Sequence, residues 1–168
     1  MERTISGMVG KGSVNHNTRA FSAKNVDKER SRDNVDFCHE DIKAVYHELF
    51  DEALERYNAK QKRSDRKIEN YYEKIRQGKQ EKLFYEVIFQ IGNRDDMNVR
   101  SEEGQLAKQI LSDFMADFQS RNPNLHVFSA HLHMDEETPH IHIDFVPVIT
   151  GSKRGLDTRV SLKGALAE

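Results

Sequence analysis

The order of elements in this chain predicts an α+β fold, an antiparallel β-sheet with helices packed on one face and the other face open. Three observations predict it. Strand-like alternation recurs in segments separated by helical periodicity, without the regular strand–helix–strand rhythm of a parallel sheet. Two strand segments, Leu125 to His133 and the one that opens at His140, are separated only by the polar, Pro-closed stretch Met134 to Pro139, which suits a hairpin loop. That hairpin also collects four of the eight histidines, His131, His133, His140 and His142. Strand alternation puts His140 and His142 on one face and Ile141 and Ile143 on the other, and folding the hairpin brings His133 opposite His140.

Along the chain, Arg3 to Val9 reads as a first strand, ended by Gly10-Lys-Gly12. Ser13 to Asp36 is rich in Asn, Ser, Lys and Arg with almost no apolar periodicity, and reads as an ordered loop or short helical turns. Loops of that length are uncommon unless functional. Glu40 to about Lys60 is an amphipathic helix, with Ile42, Val45, Tyr46, Leu49, Phe50, Ala53, Leu54 and Tyr57 at helical spacing. Ser64 or Asp65 caps a second helix that ends near Gly78. Lys82 to Gly92 is a strand with Phe84, Glu86, Ile88 and Gln90 facing one way and Tyr85, Val87, Phe89 and Ile91 the other. Asn93 to Asp96 is a turn, Glu102 to Gln119 a third helix, and Val160 to Glu168 the start of another. That last helix has no closing cap, Gly or Pro, so the chain reads as the N-terminal part of a longer protein.

At 168 residues, 36% hydrophobic and 32% charged, the chain suits one domain with a modest core and long solvated helical faces. One cysteine, Cys38, excludes an internal disulfide and suits the cytoplasm; it reads as a small buried apolar group. No run is apolar enough to span a membrane, so no membrane insertion is expected. The net charge of −2 does not advertise nucleic-acid binding, but residues 1–32 carry Arg3, Lys11, Arg19, Lys24, Lys28, Arg30 and Arg32 against Glu2, Asp27 and Glu29.

His133, His140 and His142 therefore converge on one face, with Asp135, Glu136 and Asp144 nearby. Imidazoles gathered in this way hold divalent metals, and a site with open coordination positions suits catalysis more than structure. Such a metal polarises a phosphoryl oxygen or activates water. Glu136 is placed to orient a ligand or accept a proton, whereas Asp135 reads as a solvated loop carboxylate. A second polar cluster, Asn15-His16-Asn17-Thr18-Arg19, spaces a histidine and an arginine to set a nucleophile beside a phosphate clamp.

His133-Met-Asp-Glu-Glu-Thr-Pro-His-Ile-His142 resembles the third motif of the MobV relaxases, plasmid recombination and mobilisation enzymes within the HUH endonucleases. His16-Asn-Thr-Arg19 resembles their first motif, and Asn34-Val-Asp36 stands where a short second motif is found. The likeness covers about residues 3–150 and implies an HUH relaxase-like fold with the metal site on the open face. It further implies a catalytic domain that nicks and rejoins one DNA strand at a transfer origin through a covalent 5′-phosphate link. His133, His140 and His142 would hold Mn²⁺ or Mg²⁺, Glu136 would assist proton transfer, His16 would be the nucleophile, and Arg19 would hold the scissile phosphate. Arg19, Lys24 and Arg32 are the expected DNA contacts. Single-stranded or nicked DNA and other transfer proteins, such as a coupling protein, are the expected partners, in the cytoplasm of a bacterium. His131, Asp144 and Asp36 are candidates to support the ligands from behind. Most HUH nucleases use tyrosine, which makes Tyr46, on the apolar stripe of its helix, the rival nucleophile. A rolling-circle initiator or single-strand transposase would share the site; a metal-dependent phosphoesterase would lack the covalent intermediate; a DNA-binding module with a structural metal would unfold without it.

Overall fold

The computed structural model describes residues 5–20, 23–93, 95 and 98–167. Arg3 of the expected first strand, Arg94 and Asp96 of the expected turn, and Glu168 lie outside the described residues. The strands are β1 (Ile5–Val9), β2 (Val35–His39), β3 (Tyr85–Ile91), β4 (Leu125–His133), β5 (His140–Ile149) and β6 (Arg159–Val160). The helices are α1 (Val14–Asn17), α2 (Ile42–Ala59), α3 (Tyr71–Gln77), α4 (Glu102–Arg121) and α5 (Leu162–Ala165). The main sheet runs β1-β3-β5-β4-β2, antiparallel throughout, and β6 pairs with the far end of β5. The expected α+β architecture is present, with the histidine hairpin in the middle of the sheet.

The two faces differ as the alternation predicts. Tyr85, Val87, Phe89 and Ile91 of β3 join Ala130, Leu132, Ile141, Ile143 and Phe145 beneath α4, whose Ala107, Leu111, Met115 and Phe118 fill the layer. Ser101 caps α4 by accepting from the Gly104 amide at 3.0 Å, and Glu102 and Glu103 in the first turn with Arg121 in the last complement its dipole. A side chain at Gly104 would put its Cβ 2.2 Å from the Asn98 carbonyl, so this close approach requires glycine. The histidine face is open over only part of its length. At the other end α2 and α3 cover Phe128, Val146 and Val148 with Val45, Tyr46, Phe50 and Tyr71.

A bulge between Val127 and Ser129 makes this division possible. Val127 belongs to the α4 layer, Phe128 to the α2 layer, and His131 and His133 to the open face. Strict alternation would put Val127 on the same face as His131; the extra residue reverses the parity.

Three elements depart from the sequence expectation. Val35 to His39 is a strand where a loop was expected to run to Asp36, because β4 offers it backbone partners that no local pattern announces. The second helix is shorter, a 3-10 turn at Ser64–Arg66 and then Tyr71–Gln77. Asn58 accepts from the Ile68 amide at 2.9 Å and donates to its carbonyl at 2.8 Å, which holds the intervening chain outside a helix. Asn70 is the real cap, accepting from the Glu73 amide at 3.1 Å. Val160 pairs in β6, so the last helix starts only at Leu162.

Leu111 is fully enclosed between α4 and the sheet. Leu111→Ala is expected to lower unfolding stability by about 3 kcal/mol, read from urea denaturation, through lost burial and the cavity left behind.

Candidate active site

The β4–β5 register sets His133 opposite His140 and His131 opposite His142, as the hairpin predicts. The rings of His133, His140 and His142 lie 4.8–5.3 Å apart between centroids. Each commits one nitrogen to an acceptor. His133 donates from Nε2 to the Asn17 carbonyl at 2.8 Å, His140 from Nδ1 to the Thr138 carbonyl at 2.8 Å, and His142 from Nδ1 to Glu86 Oε2 at 3.2 Å. The carbonyl acceptors fix the tautomers of His133 and His140, so the second nitrogen of each of these two rings carries a lone pair, and His142 turns Nε2 away from Glu86. Among the described residues His133 Nδ1 and His142 Nε2 are buried without a hydrogen-bond partner. Buried polar atoms without partners are costly and rare, and here they share a cluster of like donors, which fits a cation held between them.

The donor atoms fall into two triplets within 4.8 Å that share His133: His16, His133 and His142, and His133, Glu136 and His140. The three expected ligands are thus divided between the two triplets, His142 in the one with His16 and His140 in the one with Glu136, joined by His133. Burial pushes the His133 imidazole far below its ordinary value, and burial with the neighbouring His142 lowers His140, so both are neutral donors.

His16 reaches the cluster from α1. Ser13 caps this short helix by accepting from the His16 amide at 3.4 Å. The His16 ring sits 5.9 Å from those of both His133 and His142. Its Nε2 accepts from Arg19 Nη1 at 3.3 Å and lies 3.7 Å from Glu136 Oε1. Burial and then the Arg19 charge lower its pKa. Arg19 adopts φ 59°, a left-handed conformation uncommon for a residue with a side chain.

Behind this rim lies a hub that sequence reasoning misjudged. Asp135, read as solvated, is 0% exposed. It accepts from Arg19 Nε at 2.9 Å and from Arg19 Nη2, from Ser31 Oγ at 2.7 Å and from Asn34 Nδ2 at 2.8 Å. Burial works to raise its carboxyl, but the bonds from Arg19, Ser31 and Asn34 outweigh burial and hold it well below the ordinary carboxylate range. Asn34 also accepts from the Met134 amide at 2.7 Å, and Arg30 donates to the Met134 and Glu136 carbonyls. The basic N-terminal loop is thus strapped to the hairpin tip.

The Arg19 guanidinium engages Asp135, Glu136 Oε1 at 2.9 Å and His16, which sets it beside the expected nucleophile. Glu136 also accepts from Asn25 at 2.9 Å and stands 3.8 Å from His140 Nε2. Lys24 and Arg32 are exposed on the same loop.

The supporting residues are reassigned as well. His131 donates to Asp36 at 2.6 Å and meets Ser129 Oγ at 2.9 Å, so His131 and Asp36 serve each other and not the ligand rings. Asp144 does not bond an imidazole; it accepts from Asn17 Nδ2 at 3.0 Å, while Glu86 takes His142. The physical reason is position: Asp144 follows His142 on the same strand, whereas Glu86 approaches from β3. Asn17 also donates to Glu86, closing the buried set. Burial acts to raise Glu86, yet the bonds from His142 and Asn17 keep it low; burial and then the Glu86 charge push Asp144 up to about 8, so Asp144 keeps its proton. Tyr46 is withdrawn as a nucleophile. It is buried on the inner face of its own helix, α2, with its hydroxyl donating to the Leu83 carbonyl at 2.5 Å, and burial raises the phenol far above its ordinary value. Sequence reasoning missed Glu86 and Asn17. The available signal for Glu86 was a lone carboxylate in an otherwise apolar strand.

The sequence pattern of the plasmid recombination enzymes matches residues 23–163, which include the whole histidine hairpin and begin after His16 and Arg19. The chain belongs to this family. Among solved structures it is similar to the MobM relaxase domain bound to oriT DNA of plasmid pMV158 with Mn, at pH 5.5 (21% identity, TM-score 0.50, 95% of this chain and 75% of that one) and at pH 4.6 (21%, 0.50, 96% and 76%). At this identity the likeness establishes the shared fold. No curated protein sequence matches the chain. No helix among the described residues is long and apolar enough to cross a membrane.

Because the Asp135 carboxyl is held below its ordinary value of 3.8, its stabilisation is complete above that value and is lost as pH falls below it. Asp135→Asn is expected to cost about 3 kcal/mol near neutral pH in urea unfolding, through the unpaired Arg19, and the gap to the parent protein should shrink in strong acid.

Proposed function

We propose that this family member is a metal-dependent relaxase domain that nicks and rejoins one DNA strand at a plasmid or mobile-element transfer origin, through a covalent 5′-phosphate intermediate, to initiate mobilisation. The observation that carries this reading is the set of clustered imidazoles, His133, His140 and His142, beside a fourth imidazole, His16, held by Arg19 and Glu136. A hydrolytic metal site needs water as its nucleophile; here a protein nitrogen already stands at the rim.

His133, His140 and His142 would hold Mn²⁺ or Mg²⁺, whose chemistry when bound is to polarise the non-bridging oxygens of the scissile phosphate. A nitrogen of His16 forms a P–N bond as the P–O3′ bond breaks. The attacking nitrogen is the unprotonated one, so the ring gives up the proton of its other nitrogen to solvent and the departing 3′ oxygen takes one up from solvent; Glu136 Oε1 faces His16 Nε2 at 3.7 Å. The reverse step reforms the phosphodiester, because the covalent link conserves its energy. Arg19 keeps His16 aimed, and the exposed Lys24 and Arg32 suit contact with the DNA backbone. In this reading the domain works in the bacterial cytoplasm and hands its DNA-linked form to further transfer proteins, a coupling protein among them.

Incubation with single-stranded transfer-origin DNA and Mn²⁺ should produce a protein–DNA band that survives a denaturing gel and is absent with His16→Ala. Cleavage without any such band would replace this reading by a phosphoesterase. By calorimetric titration, His140→Ala should weaken Mn²⁺ binding by about tenfold or more, while the thermal unfolding of the apo protein stays near that of the parent; global unfolding on metal removal would instead make the metal structural.

A further inference from the structure

The rungs that carry the histidines continue outward across the sheet. His142 pairs with Ile88 and Ile88 with Met8; His140 pairs with Gln90 and Gln90 with Ser6. Met8 and Ile88 lie on the histidine face, yet among the described residues neither belongs to either hydrophobic core. Met8 is 48% exposed. A single exposed apolar side chain calls for no explanation, but these two are cross-strand partners on the rung of a candidate ligand. They line a cleft of about 580 Å³ shared with His16, Glu136, His140 and His142. Gln90 lies in the same cleft, its Nε2 donating to the Gly92 carbonyl at 3.2 Å.

We infer that Met8, Ile88 and Gln90 form a subsite for the nucleobase next to the phosphate held at the histidines, with Ile88 and Met8 as its apolar floor and Gln90 reading the base edge. The inference rests on the relaxase reading of the site. Neighbouring strands are about 4.8 Å apart, so Ile88 and Met8 extend the His142 rung by one and two strand spacings, the reach from a phosphodiester to the base on the adjoining sugar. An apolar floor takes the face of any base, while an amide discriminates among base edges. The subsite therefore gives general affinity through two residues and preference through the third.

The test uses fluorescence anisotropy with Mn²⁺ and two probes of equal length, oligothymidylate and a chain of abasic sugar phosphates. The double variant Met8→Ser, Ile88→Ser should lose about fivefold or more on oligothymidylate and keep the parent affinity for the abasic chain. Gln90→Ala should change the order of affinities among the four homopolymeric deoxyoligonucleotides, again without a change on the abasic chain. Equal losses on both probes, or no loss on either, overturn the subsite while leaving the relaxase reading in place. A parent protein that binds neither probe also overturns the subsite, while the relaxase reading stands or falls on the covalent band with transfer-origin DNA.

Discussion

The register of the β4–β5 hairpin is the constraint on which the site depends. Pairing His133 with His140 and His131 with His142 places three imidazoles side by side before any loop contributes. A slip of one residue would turn the histidines into the α4 layer and expose Ile141 and Ile143. The slip is opposed by the apolar set itself, since Ala130, Leu132, Ile141 and Ile143 are buried against α4. Burial of one face thus holds the chemistry of the other in place, and the Val127–Ser129 bulge lets the same strand serve the α2 layer further along.

A second layer of order comes from charge. The loop that carries His16 has little apolar content with which to dock. It is anchored by Asp135, which gathers Arg19, Ser31 and Asn34, and by Arg30 and Asn34 on the hairpin backbone. Burying a carboxylate is costly unless its lone pairs are filled, and here four donor atoms fill them. The result is a histidine carried on a four-residue helix yet held in a defined place, as a nucleophile must be.

Beneath the site, Asn17, Glu86 and Asp144 form a buried polar set that touches the ligand cluster at two points, the Asn17 carbonyl on His133 and the Glu86 carboxylate on His142. These contacts decide which nitrogen of each ring is free. Asn17 is the common member, so the α1 helix that supplies His16 also orients a ligand imidazole. Nucleophile and ligand cluster are for this reason one mechanical unit.

Much of this was legible in the chain itself. The period-two pattern around His133, His140 and His142, and the polar, Pro-closed gap between them, determine a histidine-bearing hairpin, because alternation and turn chemistry are local properties. The helical stripe of α2 is local in the same sense, whereas α4 buries Ala107, Leu111, Met115 and Phe118 and leaves the apolar Leu106 and Ile110 exposed. The tertiary structure alone decided what depends on contacts distant in sequence. Asp135 is read as a solvated carboxylate until residues about a hundred positions away close over it. Glu86 meets His142 across 56 positions, and β2 becomes a strand only because β4 offers it an edge. Tyr46 is already marked by the apolar stripe of its helix, but only α3 and Leu83 show what encloses it. Sequence determines which residues can share a face; only the folded chain determines which polar groups lose water together, and with them which carboxylates, imidazoles and hydroxyls remain free to react.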